Sequence, residues 1–173
     1  PDAHGALPAL SVAEKMILAK TCQAAENQFV GVNCGLLDHI SSLYGRAHHV
    51  IRIDCLHLTV DWSPMEGDLA VVVCHSGVKH ALVGGEYNDR RRHCEAAASK
   101  LGVPSLRHAT LETLEAGRSR LDDRDYGCAR HVVGENQRVS QGALLLQQGR
   151  LEAFGQFLYQ SHESSRDFFL NSC

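Results

Sequence analysis

The hydrophobic pattern of the chain changes once, near residues 77–86, and this change limits the folds open to it. Before it, three runs rich in β-branched residues (49–55, 56–60 and 69–74) are separated by turn residues. They predict three strands of an antiparallel sheet, with the last strand fully buried. After it, apolar residues recur at helical spacing over 88–101, 111–121, 125–148 and 151–163. Strands followed by helices predict an α+β fold.

Two further helices are predicted ahead of the strands. Ser11 and Glu14 have the spacing of a capping box, which predicts a helix from there to near Gln28. The apolar segment 29–35 contains two glycines, and such a segment is typical of a sharp turn or of backbone that passes close to a ligand. A second helix should then run from Asp38 through Tyr44 and end at a glycine.

Length, charge and cysteine content narrow the class of protein. A chain of 173 residues that is 44% hydrophobic can bury one sizeable core, and its net charge of −3 provides no basic surface for nucleic acid or membrane. No apolar run is long enough to span a membrane, and seven cysteines without CxxC spacing indicate reduced thiols, so we expect a cytoplasmic protein. The chain starts at Pro1 rather than methionine and stops directly after an apolar run, which suggests an internal piece of a longer protein.

Specific ligand motifs are missing from the sequence. Neither GxxxxGK[ST] nor GxGxxG is present, so no loop that cradles a triphosphate is predicted. We therefore predict no cofactor-binding residue within the chain. Arginines 90–92 have Asp89 and Glu95 at helical spacing, which favours a solvated helix face over an anion site. The closely spaced candidate metal ligands match no four-ligand zinc pattern, so no metal site is predicted; they are His48, His49, Cys74, His75 and His80.

Asp38 is the acidic residue that most invites a functional interpretation. It follows an apolar, glycine-containing segment, where a buried carboxylate would be costly without a polar partner. On these grounds alone, an aspartate that complements the dipole at a helix start is favoured over a catalytic one.

Four blocks of sequence, in the same order, resemble the galactokinases of the GHMP small-molecule kinase superfamily. They are AENQFVGVNCGLLDH (25–39), VGGEYNDRRR (83–92), ARHVVGEN (129–136) and SHESSRD (161–167). Four ordered blocks are far more specific than any single motif, and the resemblance runs over essentially the whole chain. It implies that residues 1–80 complete a GHMP amino-terminal domain of helices and antiparallel strands. Residues 81–173 would begin the helical part of the carboxy-terminal domain.

The resemblance also implies the chemistry and the residues that perform it. Galactose would be phosphorylated by ATP at its C1 hydroxyl, with Asp38 as the general base. Gly35 matches a backbone contact to the sugar, and Tyr87 matches a tyrosine that hydrogen-bonds a galactose hydroxyl. The ligands for ATP and Mg²⁺ are expected outside this chain, in a parent protein that is a monomer. The 173 residues alone are therefore expected to be inactive.

Three positions depart from the family pattern, and three alternatives stay open. His39 stands where glutamine is usual, Leu37 where methionine is usual, and Phe168 where a second acidic residue is common. The parent protein could instead be a kinase for N-acetylgalactosamine or a non-catalytic transcriptional sensor that binds galactose and ATP. The chain as it stands could also be a structured but inert relative whose exposed apolar edges drive self-association.

Overall fold

The fold is known from a computed structural model, which describes residues 9–31, 33–65, 67, 70–73, 75, 77 and 85–172. The described helices are α1 (Val12–Ala25), α2 (Leu37–Tyr44), α3 (Gly85–Leu101), α4 (Leu111–Ala116), α5 (Asp123–Gln147) and α6 (Leu151–Ser164). The strands β1 (His49–Asp54) and β2 (Thr59–Pro64) form an antiparallel pair. One π-helical turn follows α1 (Glu26–Val30) and another follows α6 (Ser165–Phe169), while short 3₁₀ turns lie at Leu106–His108 and Arg118–Arg120. The predicted α+β class is confirmed.

The chain divides into two compact units, Pro1–Trp62 and Ser63–Cys173. The boundary expected between residues 80 and 81 falls in the stretch 78–84, outside the described residues, and it stays a prediction. No described helix combines the length and the apolar character needed to cross a membrane.

The first unit packs α1 and α2 against the hairpin. Ala19, Ile40 and Tyr44 are its fully buried core, and apolar side chains that include Ile53, Val60 and Trp62 pack around them. Tyr44 connects three elements, because its hydroxyl donates to the carbonyl of Val12 at 2.6 Å and its own carbonyl accepts from Trp62 Nε1 at 2.8 Å. These bonds fix the end of α2 on a rigid base formed by α1 and β2.

The second unit is helical, and its core lies between α3, α4 and α5. That core consists of small and branched side chains: Ala97, Ala98, Leu101, Leu106, Leu114, Leu121 and Ala129. Beside it, the buried carboxylate of Asp125 contacts His93 Nδ1 at 2.7 Å and the ammonium group of Lys100. A buried carboxylate needs such partners, since its desolvation is otherwise uncompensated.

Helix boundaries follow the sequence closely in most places. Ser11 and Glu14 form the predicted capping box reciprocally, and α2 ends before Gly45 as expected. The first helix was expected to reach Gln28. The α-helix ends at Ala25, and a π-helical turn continues the helical backbone to Val30. The helix predicted over 111–121 is shorter than expected, because it stops at Gly117 and a 3₁₀ turn follows.

The predicted third strand is wrong over the residues that can be checked. Residues 70–73 are neither helix nor strand, and Val71, Val72 and Val73 are 77%, 78% and 88% exposed rather than buried; Leu69 and Cys74 lie outside the described residues. The reason is that β-propensity measures how well a side chain fits a paired, half-buried surface. No strand partner for this run exists among the described residues.

The second strand begins three residues later than predicted. Residues 55–58 form a turn because the Asp54 carboxylate accepts hydrogen bonds from the backbone N–H groups of Leu56 (2.9 Å) and His57 (3.1 Å). An aspartate that caps its own following backbone in this way mimics a backbone turn. Leu58 then adopts a left-handed conformation with φ 55°, which redirects the chain into β2.

Two helical glycines provide a matched pair for a stability test. A Cβ on Gly127 of α5 would lie 2.9 Å from the backbone carbonyl oxygen of Phe168, whereas a Cβ on Gly155 of α6 would meet no described atom within 4 Å. We expect Gly127→Ala to destabilise the chain by about 1–3 kcal/mol through overpacking. Gly155→Ala should stabilise it by about 0.5–1 kcal/mol, since alanine loses less backbone entropy in a helix.

The measurement is urea denaturation of both variants followed by far-UV circular dichroism. Equal stabilities for the two variants would contradict the close approach of α5 to the turn after α6.

Candidate active site

Asp38 lies at the exposed start of α2, where the loop from the π-helical turn enters the helix. It is the second residue of the helix, and Leu36, the residue at the N-cap, makes no side-chain capping bond. The exposed carboxylate therefore belongs to the first turn, where a negative charge is favourable. The opposite face of α2, with Ile40 and Tyr44, is buried in the core of the first unit.

Gly35 lies three residues before Asp38 on the same loop. It is exposed, and a Cβ built on it would meet no described atom within 4 Å. Open space on one side of a backbone segment next to a carboxylate is the geometry that a small polar ligand requires for close approach. Gly35 and Asp38 are therefore exposed neighbours on one loop and helix start, and their assignment to a sugar site stays a prediction.

Side chains from α1 and the π-helical turn hold this loop in place. Gln23 Nε2 donates to the carbonyl of Cys34 at 3.0 Å, and the Cys34 thiol donates to Glu26 Oε2 at 3.0 Å. The second bond lowers the pKa of the Glu26 carboxyl and raises the pKa of the Cys34 thiol. His39 Nε2 lies 3.3 Å from the other oxygen of Glu26, so this one carboxylate connects the turn to both the loop and α2.

Sequence reasoning missed these connecting residues. The only available signal was that a glutamate, a cysteine and a histidine flank the glycine-containing segment, at positions 26, 34 and 39. Their spacing matches no recurrent motif. Their meeting depends on the path of the loop and on the π-helical turn, and turns of that kind are frequent at functional sites.

Tyr87 belongs to the second unit. It is the third residue of α3 and is 52% exposed. Residues 83 and 84 of the same sequence block lie outside the described residues.

The arginine run next to Tyr87 is only partly the solvated face that was predicted. Arg91 and Arg92 pair with Glu95 (2.9 Å) and Asp89 (2.7 Å) on the helix surface, as expected. Arg90 is different, because its side chain is only 15% exposed and its Nε donates to the carbonyl of Phe169 at 3.0 Å. The prediction is wrong for Arg90, since a guanidinium can cap the backbone carbonyls of a turn that packs against its helix.

The other two sequence blocks meet on the helix pair α5 and α6. His131 Nδ1 lies 2.9 Å from Ser164 Oγ, and Glu135 accepts a hydrogen bond from Ser161 Oγ at 3.0 Å. Burial lowers the pKa of His131, which favours a neutral ring stacked 4.5 Å from the ring of Phe169. These blocks have a structural role in the second unit.

Comparison with known proteins decides the family. No family model matches the chain. The galactokinase of Bos taurus is 44% identical over 156 residues, which cover 90% of this chain and 40% of that protein. The galactokinase of Pasteurella multocida is 46% identical over 150 residues, covering 85% and 39%. The crystal structure of Lactococcus lactis galactokinase complexed with galactose matches with a TM-score of 0.85 at 28% identity, over 90% of this chain and 42% of that one.

Over this segment, the chain belongs to the galactokinase family. It spans about 40% of the length of the curated relatives that it matches. The resemblance seen in the four sequence blocks is confirmed, and it extends to the fold.

Proposed function

We propose that the complete protein is a galactokinase, which transfers the γ-phosphoryl group of ATP to the C1 hydroxyl of galactose. The observation that carries this proposal is the fit of the chain, at a TM-score of 0.85, to a galactokinase described as complexed with galactose. The exposed carboxylate of Asp38 beside the open backbone at Gly35 supports it, because this is the arrangement that the family assignment requires of a base next to a sugar.

Asp38 acts as the general base in this proposal. Its carboxylate accepts the proton of the C1 hydroxyl as that oxygen forms a bond to the γ-phosphorus, while the bond from the γ-phosphorus to the bridging oxygen breaks and ADP leaves. Gly35 contacts the sugar through its backbone, and the Tyr87 hydroxyl binds a galactose hydroxyl. ATP and Mg²⁺ are bound by residues elsewhere in the complete protein.

A cytoplasmic setting is part of the proposal. Cys22, Cys34, Cys94 and Cys128 form no disulfide. Thiols that persist in this number are typical of a reducing compartment, which supports a place in the cytoplasm.

The experiment is a coupled assay of ADP release by the complete protein with ATP and Mg²⁺. We expect ADP release that depends on galactose and is far slower with N-acetylgalactosamine. Faster ADP release with N-acetylgalactosamine would identify the protein as an N-acetylgalactosamine kinase instead. Galactose binding without ADP release would identify it as a non-catalytic sensor. The isolated 173-residue chain should release no ADP, and galactose-dependent release by that chain would contradict the expectation that the nucleotide ligands lie elsewhere.

A further inference from the structure

We propose that Glu26, Cys34 and His39 form a binding site for a thiophilic divalent ion, namely Zn²⁺. The proposal concerns the first unit alone and does not depend on the kinase activity proposed above.

The three ligand atoms are already close together. The carboxylate oxygen of Glu26, Sγ of Cys34 and a ring nitrogen of His39 all lie within 4.8 Å of one another. Sγ is 3.0 Å from Glu26 Oε2, and His39 Nε2 is 3.3 Å from Glu26 Oε1. In a tetrahedral zinc site with Zn–S of about 2.3 Å and Zn–N or Zn–O of about 2.0 Å, neighbouring ligand atoms are roughly 3.3–3.6 Å apart. Small side-chain shifts therefore suffice to bring all three atoms onto one ion.

The donor set selects the kind of metal. Thiolate and imidazole ligands favour Zn²⁺ and disfavour Mg²⁺, which prefers oxygen ligands and keeps its water. On binding, the Cys34 thiol releases its proton to solvent and forms the Zn–S bond, while His39 Nε2 and a Glu26 oxygen form the other two bonds. Water can take the fourth position, and Asn27 Oδ1 lies 3.3 Å from Sγ as an additional oxygen donor.

The Glu26 side of the cluster is open to solvent. The Glu26 side chain is 50% exposed, whereas the His39 side chain is 11% exposed. An ion can therefore enter past Glu26 and meet a histidine that is largely buried. His39 Nδ1 is buried and has no hydrogen-bond partner among the described residues, so Glu26 on the Nε2 side is the polar contact that directs the ring.

His39 is the ligand of this site that departs from the family pattern. Position 39 is the one next to Asp38 where the family resemblance leads one to expect glutamine. A glutamine could still bond to Glu26, but its amide is a far weaker ligand for zinc than imidazole. Restoring the glutamine thus removes the metal ligand while keeping a polar side chain of similar reach.

In a second cluster of candidate metal ligands, a lysine takes the place that a metal ion would need. His93, Asp122 and Asp125 also bring ligand atoms together, but the Lys100 ammonium contacts both carboxylates, at 3.3 Å in the case of Asp122. That cation already neutralises the acidic groups. In the described contacts of the Glu26 cluster, no lysine or arginine plays this role.

The test is titration of the full chain, reduced and freed of metal, with Co²⁺ as a spectroscopic substitute for Zn²⁺. We expect one equivalent of Co²⁺ to produce a thiolate-to-cobalt charge-transfer band, and Zn²⁺ but not Mg²⁺ to abolish it. Cys34→Ser should lose the band. Since changing even an outer-shell partner of a metal costs 10–100-fold in affinity, His39→Gln should weaken Zn²⁺ binding by at least about 100-fold.

Matched controls are Cys22→Ser, an exposed thiol in α1, and His57→Gln, an exposed histidine paired with Asp54. Both should bind like the unchanged chain, and the fluorescence of Trp62 checks that every variant keeps the core of the first unit. The proposal is overturned if the unchanged chain gives no charge-transfer band, or if the band and the affinity survive both Cys34→Ser and His39→Gln.

Discussion

Asp38→Asn is expected to lower kcat of the complete protein by about 10²–10⁴-fold, the usual contribution of a positioned general base. Asparagine has nearly the same size and can still accept a hydrogen bond at the start of α2, but it cannot take the proton of the C1 hydroxyl. The Michaelis constant for galactose should change much less, because the loop and Gly35 remain in place. Steady-state ADP release at saturating ATP measures both quantities.

The same variant separates catalysis from a structural role of Asp38. A carboxylate that only complements the helix dipole contributes about 0.3–1 kcal/mol to stability, and its loss would leave kcat unchanged. Asp61→Asn is the matched control, because Asp61 is an exposed carboxylate of the same unit that pairs with Arg52 on the hairpin. An equal kcat for both variants and the unchanged protein would exclude Asp38 as the base.

Local signals in the sequence predicted much of the scaffold around this site. The capping box at Ser11 and Glu14 located the start of α1, and Gly45 located the end of α2. Both signals depend on residues no more than four positions apart, so they can be recognised from the sequence without knowing the tertiary structure. The placement of Asp38 and Gly35 on one loop and helix start followed from the same local features.

Features that depend on distant partners could not be predicted in this way. The run at 70–73 has strong β-propensity, yet it forms no strand because pairing needs a neighbour that propensity does not specify. Arg90 has an acidic partner in its own helix, Glu86, and also binds the carbonyl of Phe169, which is 79 residues away. The catalytic role proposed for Asp38 came from the family resemblance, since a helix-start aspartate taken alone favours a structural role.

Ile40→Ala should destabilise the first unit by about 2–5 kcal/mol, the cost of removing a fully buried branched side chain and leaving a cavity. Ile40 is 0% exposed between Ala19 and Tyr44, and it holds the face of α2 opposite Asp38 against α1. Trp62 is the single tryptophan of the chain, and its indole donates to the Tyr44 carbonyl in this same core. Its fluorescence during urea denaturation therefore reports the free energy of unfolding of this unit.

Leu37→Ala is the control for this substitution, because Leu37 is an apolar residue of the same helix that is 59% exposed. It should change stability by no more than about 0.5 kcal/mol, as is usual for a surface position. Domain stabilities are typically only about 5–15 kcal/mol, so the loss at Ile40 would leave α2 poorly anchored and lower the fraction of molecules in which Asp38 is correctly placed. Equal midpoints for the two variants would mean that the start of α2 does not depend on this core, and the rigid base inferred for Asp38 would have to be abandoned.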